Sequence, residues 1–470
     1  MVIINSTEIG GEEMKGFQRN MKQSKIAGFL LVSIGILLTA SAGGWDITNH
    51  LLNKPESFLS PPHAALYTGV SMVIIGAIMI YICHGDLRDT ECRNKLPSRN
   101  NSTSNAFILH LDVKHLTSLP LSVKLIFLGV SMLVAAGPFD FIWHSAFGLD
   151  GLLSPPHSIL TVGMALCSIG ALLGIVTSNW MSIHDNKRIN KDNDLNTIVE
   201  SGPNNSESLD SYTKGKNYVY RNPIKSNGPL LIVVGILPVW LTISGLIHMA
   251  SLPFSDTPFF NFNPNPVLAV LIATICFPFL ISLMLFSTFR LVEVHNEGLN
   301  RMPGSDSPWK IRRGTGFGIL SLTGAAFIVV NIATSIIPNE HLVPTLPFYV
   351  LNILPIIAAD ILLTMVSSNK CNHDRYTNRV CWIRYLAGGI LGLVFFTFYF
   401  PLITHTYNEV LPNSQPVWPS LTSTIYFKMV NDIGVFLIPP GILMGILGVV
   451  VASKIFTFKN ERQMIKSKPV

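Results

Sequence analysis

Ten times along the chain an apolar run of about 20 residues recurs, the length that lets an α-helix cross roughly 30 Å of hydrocarbon. The runs lie near 25–45, 63–84, 122–143, 157–178, 229–250, 266–287, 315–337, 347–367, 383–405 and 426–456. Inside a bilayer every backbone amide must be satisfied within the spanning structure, so only helices and closed barrels cross it. Barrel strands alternate in polarity and these runs do not. The expected fold is therefore all-α: a polytopic membrane protein of about ten transmembrane helices. Composition agrees, because a water-soluble chain of 470 residues would struggle to hide 49% apolar side chains behind 13% charged ones.

Orientation follows from Lys and Arg. The connections around Asn53, Leu152, Pro258, Asn339 and Asn413 hold one basic residue among them, Lys54, whereas residues 181–227 hold Lys187, Arg188, Lys191, Lys214, Lys216, Arg221 and Lys225. By the positive-inside rule both termini are expected in the cytoplasm of a multi-pass cell-membrane protein, with the basic-poor loops facing outward. The net charge of +6 then reflects topology and contact with anionic headgroups of the lipid bilayer. No nucleic-acid motif is present.

Residues 1–24 mix Lys15, Arg19 and Lys22 with Glu8, Glu12 and Glu13 and lack an apolar core, so they read as a cytoplasmic tail without a cleavable secretory signal. The first span is expected to act as an uncleaved anchor, and 458–470 forms the other tail. Cys83, Cys92, Cys167, Cys276, Cys371 and Cys381 fall in spans or on the inner side with no Cys-x2-Cys pair, which disfavours disulfides and cysteine-rich zinc sites.

Two of the outward turns carry the same polar triplet. Asp46, His50 and His63 recur at unchanged spacing as Asp140, His144 and His157, and each last His closes the tetrapeptide Ser-Pro-Pro-His. Asp and His four apart share one helix face, so each pair can reach a common ion. The third ligand comes from the return helix, whose start is set by a capping Ser and by Pro in the first turn. Two imidazoles and a carboxylate with open positions suit copper(II), zinc or non-haem iron, and ligand softness does not choose among them. An isolated His or Asp near a membrane interface is commonly a cap or anchor. Two identical triplets, each demanding three ligand types together, favour metal.

A helix, a short outer loop ending in a Pro-containing tetrapeptide, and a return helix form a unit that recurs five times. Asn331, Ser335 and Phe348 keep the triplet spacing in the fourth unit, as do Pro401, His405 and Trp418 in the fifth. The third is looser, with Ser244 and His248 before Asn263-Pro-Asn-Pro. The chain thus divides into two metal-binding hairpins at 25–180, a polar linker at 181–228, and three degenerate hairpins at 229–457. The linker, rich in Asn, Ser, Lys and Asp, is expected to be disordered.

From Asp140-Phe-Ile-Trp-His144 through Ser154-Pro-Pro-His157, the sequence resembles the C subunit of the copper membrane monooxygenases, the particulate methane and ammonia monooxygenases. The resemblance implies copper at Asp140, His144 and His157, and equally at Asp46, His50 and His63, where Asn49 stands in place of Trp143. It covers these two short hairpins; the duplication, the ten spans and the degenerate units depart from that subunit.

Other polar residues are weaker candidates. His405 and Glu409, four apart at an outer helix end, are a possible further site lacking its closing His. Asp360 and Asp432 lie within spans without a visible partner, where ionisable groups are functional candidates by default. His110, His115, His184, His295 and His373 are expected in solvated inner loops, and Pro439-Pro440 to kink or break the last span. The leading reading is a membrane copper protein with two outward Asp-His-His sites, its sharper form being redox or oxygenase chemistry in a complex with other membrane subunits. The rivals are a metal-ion or small-molecule transporter, with Asp360 and Asp432 lining a path, and a structural or sensory subunit.

Overall fold

The computed structural model describes residues 6–51, 57, 59–95, 119–147, 153–200, 228–251, 266–300, 318–337, 340–368, 373–394, 432 and 435–455, with some helix-end side chains, including that of His50, outside the description. These residues form α1 (Ser6–Leu51), α2 (Pro61–Lys95), α3 (Leu121–Phe147), α4 (Pro155–Glu200), α5 (Gly228–Ser251) and α6 (Pro266–Asn300). Next come α7 (Ile319–Asn331), which passes into a π-turn at Ile332–Ile336, and a 3₁₀ turn at Glu340–Thr345. The series ends with α8 (Leu346–Leu351), α9 (Ile353–Ser368), α10 (His373–Val394) and α11 (Val435–Ile455). The described residues contain no strand.

Eight stretches are long and apolar enough to cross a membrane: Asn20–Ile47, Pro61–His84, Leu121–Phe147, Pro155–Ser178, Gly228–Ser251, Leu271–His295, Val343–Leu363 and Val435–Ile455. The chain is thus a helical, multi-pass membrane protein. Each stretch overlaps an expected span. Of the other two, 315–337 corresponds to the shorter apolar helix Ile319–Thr334, and 383–405 runs out of the described residues at Val394.

Two boundaries differ from expectation. α1 begins at Ser6, inside the segment read as a tail, and α4 continues to Glu200, well into the segment read as a disordered linker. A helix already nucleated in the membrane extends at the low cost of propagation, so polar sequence beyond the bilayer can remain helical. Pro439 and Pro440 do not break α11: both are helical, and the helix continues through them to Ile455.

α1 pairs with α2 and α3 with α4, as the two triplet-bearing hairpins require. α4 also packs against α1 and α5, and α2 meets α3. One buried core joins Phe29, Val32 and Ile36 of α1 to Ile80 of α2, Ile126 of α3 and Ile175 of α4. A second core centres on α5, α6, α7 and α9, and Ile169, Leu172 and Val176 of α4 pack against it.

Close approach of backbones draws each hairpin together. A Cβ on Gly69 would lie 2.8 Å from the Gly35 carbonyl oxygen, and one on Gly76 would lie 2.8 Å from that of Gly28. In the second hairpin, Cβ atoms on Gly129 and Gly170 would lie 2.6 Å from the carbonyl oxygens of Gly163 and Ser122. Every one of these positions recurs after 94 residues, the offset that also carries Asp46 onto Asp140. Without a hydrophobic driving force between helices in lipid, such small-residue contacts supply the packing that holds a pair together.

Candidate metal centre

Ser154 sets the start of α4. Its carbonyl accepts the Ser158 amide at 2.9 Å and its Oγ meets the His157 amide at 3.4 Å, so Pro155 and Pro156 occupy the opening turn and His157 follows. That is the geometry of a side-chain cap. His157 is thereby buried at the mouth of the hairpin, facing the last turns of α3.

On α3, Asp140 and His144 stand one turn apart. His144 Nε2 lies 3.3 Å from Asp140 Oδ1, and His157 Nε2 reaches the same oxygen at 3.2 Å from the other helix. The three ligand atoms all lie within 4.8 Å of one another, and the two imidazole centroids are 5.7 Å apart. Ligands about 2.0–2.2 Å from one ion stand roughly 3 to 3.5 Å from each other, so the present spacing needs little adjustment to surround one. Asp140 Oδ1 is buried with these two imidazole nitrogens as its facing polar groups, a place where a bound cation would also be held. The donor set and its spacing fit a metal ion. Trp143, beside His144 in sequence, is buried, its ring 4.5 Å from that of Phe147 and 6.0 Å from that of Phe139.

The first hairpin brings two of its three residues together. His63 Nε2 lies 3.1 Å from Asp46 Oδ1, while His63 Nδ1 lies 2.9 Å from the Ser57 carbonyl oxygen. A ring nitrogen tied to a backbone carbonyl carries the proton and leaves the other as ligand, the usual support of a metal-binding imidazole. Sequence reasoning missed this Ser57 contact, since a backbone acceptor leaves no residue-type signal. The His50 side chain lies outside the described residues. Asn49, at the place of Trp143, is partly buried. The ring of Tyr67 lies 6.3 Å from that of His63, and because α2 packs against both α1 and α3, the two successive hairpins bring their turns to the same end of the bundle.

The remaining candidates separate clearly. His248 is half-buried, its ring 4.9 Å from that of Phe277. Asn331 donates from Nδ2 to the Phe327 carbonyl at 2.9 Å, a bond within its own helix, and Phe348 is partly buried. The Ser335 side chain, Pro401, His405, Glu409 and Trp418 lie outside the described residues.

Asp360, read from sequence as a partnerless intramembrane acid, has partners. Its Oδ2 accepts the Gly318 and Ser321 amides, each at 2.8 Å, so a carboxylate on α9 caps the first turn of α7. Tertiary folding creates that cap between residues 42 and 39 positions apart, beyond the reach of local pattern. Asp432 is exposed. His295 is not in a solvated loop: α6 runs to Asn300, so His295 falls on helix and packs, buried, against Gly228 at the start of α5. Cys83, Cys167 and Cys276 form no disulfide.

The chain matches no protein-family model, no curated protein and no solved structure. The functional reading therefore rests on the geometry of these two turns.

Proposed function

We propose that the protein binds a metal ion at the outer end of its second hairpin through Asp140, His144 and His157, and a second ion at Asp46, His50 and His63. The carrying observation is the convergence of two imidazole nitrogens from different helices on one carboxylate oxygen, at 3.2 and 3.3 Å. The shared 94-residue offset of ligands and helix-packing glycines supports descent of both hairpins from one ancestral unit. It extends the first triplet's likeness to the second beyond the pair Asp46 and His63. The dearth of Lys and Arg in both turns supports an outward location and cytoplasmic termini in the cell membrane.

Copper is the favoured ion, on the resemblance of the second turn to the copper membrane monooxygenases; zinc and non-haem iron have the same donor requirements. Three protein ligands leave coordination positions for a small molecule, which is what redox or oxygenase chemistry needs and a closed structural site lacks. Bound copper would supply one-electron chemistry. The chain's own residues fix the ligands: Ser154 caps the helix that presents His157, and the Ser57 carbonyl orients His63. The transporter alternative loses half of its sequence support, because Asp360 is committed to capping α7. Metal analysis of protein purified in mild detergent tests the reading. Wild type should carry about two equivalents per chain, and His63→Ala and His157→Ala should each lose one. No metal in wild type, or unchanged metal in both variants, would refute it.

A further inference from the structure

At the opposite end of the bundle lies a charged cluster that metal chemistry does not use. Glu293 of α6 accepts Arg290 Nη1, one turn back on the same helix, through Oε2. Its other oxygen lies 3.5 Å from Arg384 Nη2 on α10, and the Arg384 guanidinium sits 5.9 Å over the Phe289 ring. Among the described residues two guanidiniums thus share one carboxylate, leaving a surplus positive charge. The three side chains keep 19 to 25% of their surface exposed, so the cluster is sunk into the helix ends yet reachable. Arg290 Nε is buried without a hydrogen-bond partner among the described residues, so Glu293 does not satisfy this group.

We infer that Arg290 and Arg384 form a binding site for the phosphate of an anionic lipid headgroup. Surplus positive charge at the edge of hydrocarbon calls for a counter-anion. Guanidinium forks match phosphate oxygens, and Glu293 engages one terminal nitrogen of each, leaving other N–H donors available. The surroundings select a lipid over a dissolved anion. Trp382 and Leu386, one turn apart on α10, are 75% and 56% exposed and face away from the bundle, and Trp concentrates at headgroup depth. Lys and Arg concentration places this end at the inner leaflet, where basic pockets between helices meet anionic headgroups. The inference is independent of the metal sites.

Native mass spectrometry of the full chain, delipidated in neutral detergent, tests it with phosphatidylglycerol against phosphatidylcholine, inorganic phosphate serving as competitor. About one phosphatidylglycerol per chain should be retained in preference to phosphatidylcholine. Arg290→Gln and Arg384→Gln should each weaken retention at least about fivefold. Glu293→Gln, which removes the competing carboxylate, should hold the lipid at least as well, and exposed Lys454→Gln should behave as wild type. Should a glutamine variant fail to fold, Arg384→Lys keeps the charge without the fork and should still weaken retention. Equal retention of both lipids, or wild-type retention by the Arg variants, would overturn the site. Full displacement by millimolar phosphate would overturn the lipid as its ligand.

Discussion

His157 Nε2 on α4 lies 3.2 Å from Asp140 Oδ1 on α3, and His144 Nε2 lies 3.3 Å from the same oxygen. The carboxylate is therefore the hub of the triad, and its removal should cost more than a third of the binding. Asp140→Ala is expected to abolish binding at this turn. Asp140→Asn keeps an oxygen of similar reach without the charge and should weaken affinity at least about tenfold. Titration of metal-free protein, with far-ultraviolet circular dichroism as a check on folding, measures both. Wild-type affinity in Asp140→Asn would show that the charge is immaterial and the triad a packing motif.

Backbone contact in each hairpin leads to a second expectation. A Cβ on Gly129 would lie 2.6 Å from the Gly163 carbonyl oxygen, and one on Gly35 would lie 2.8 Å from that of Gly69, whereas one on Gly137 would meet nothing within 4 Å. Gly129→Leu and Gly35→Leu should each destabilise the protein by at least about 2 kcal/mol through overpacking. Gly137→Ala should stay within about 1 kcal/mol of wild type, since helix propensity alone is altered. Thermal unfolding in detergent reads the difference, and parting the helices should also lower metal retention in that hairpin.

Asp360 gives a test that separates folding from transport. Asp360→Ala leaves the buried Ser321 amide and the half-buried Gly318 amide without their acceptor, at about 1–3 kcal/mol for the buried donor and less for the other. Asp360→Asn retains a carbonyl oxygen and should recover much of that loss. Metal content at the outer turns should be unchanged in both. If Asp360→Asn instead folds as wild type but abolishes cation uptake in vesicles, Asp360 belongs to a transport path and the capping account is incomplete.

Much of this arrangement was legible in the sequence because the bilayer imposes it: apolar runs of span length define helices. The Asp140 triad was legible for a local reason, since the four-residue step to His144 fixes a shared face and Ser-Pro-Pro fixes the helix start that carries His157. What escaped depends on tertiary contact. The partners of Asp360 lie some 40 positions away, and the Ser57 contact to His63 is made by backbone. The glycines that draw the hairpins together were visible as letters, but glycine is common in membrane helices. Its packing role emerges only when Gly35 is seen to face Gly69 as Gly129 faces Gly163.

Sidedness supplies the last test, because the outward assignment rests on charge asymmetry while the triad rests on geometry, and the two can fail separately. Asp140 keeps 29% of its side chain exposed, against 18% for His144 and 11% for His157, so the bound ion should be reachable from water through the carboxylate side. A chelator that cannot cross membranes should therefore strip metal from sealed right-side-out vesicles and leave it in inverted ones. Stripping confined to inverted vesicles would reverse the topology while leaving the triad intact, and would place the Arg290 and Arg384 cluster at the outer leaflet. Metal resistant from both sides, but released on unfolding, would mark a closed structural site and remove the ground for redox chemistry.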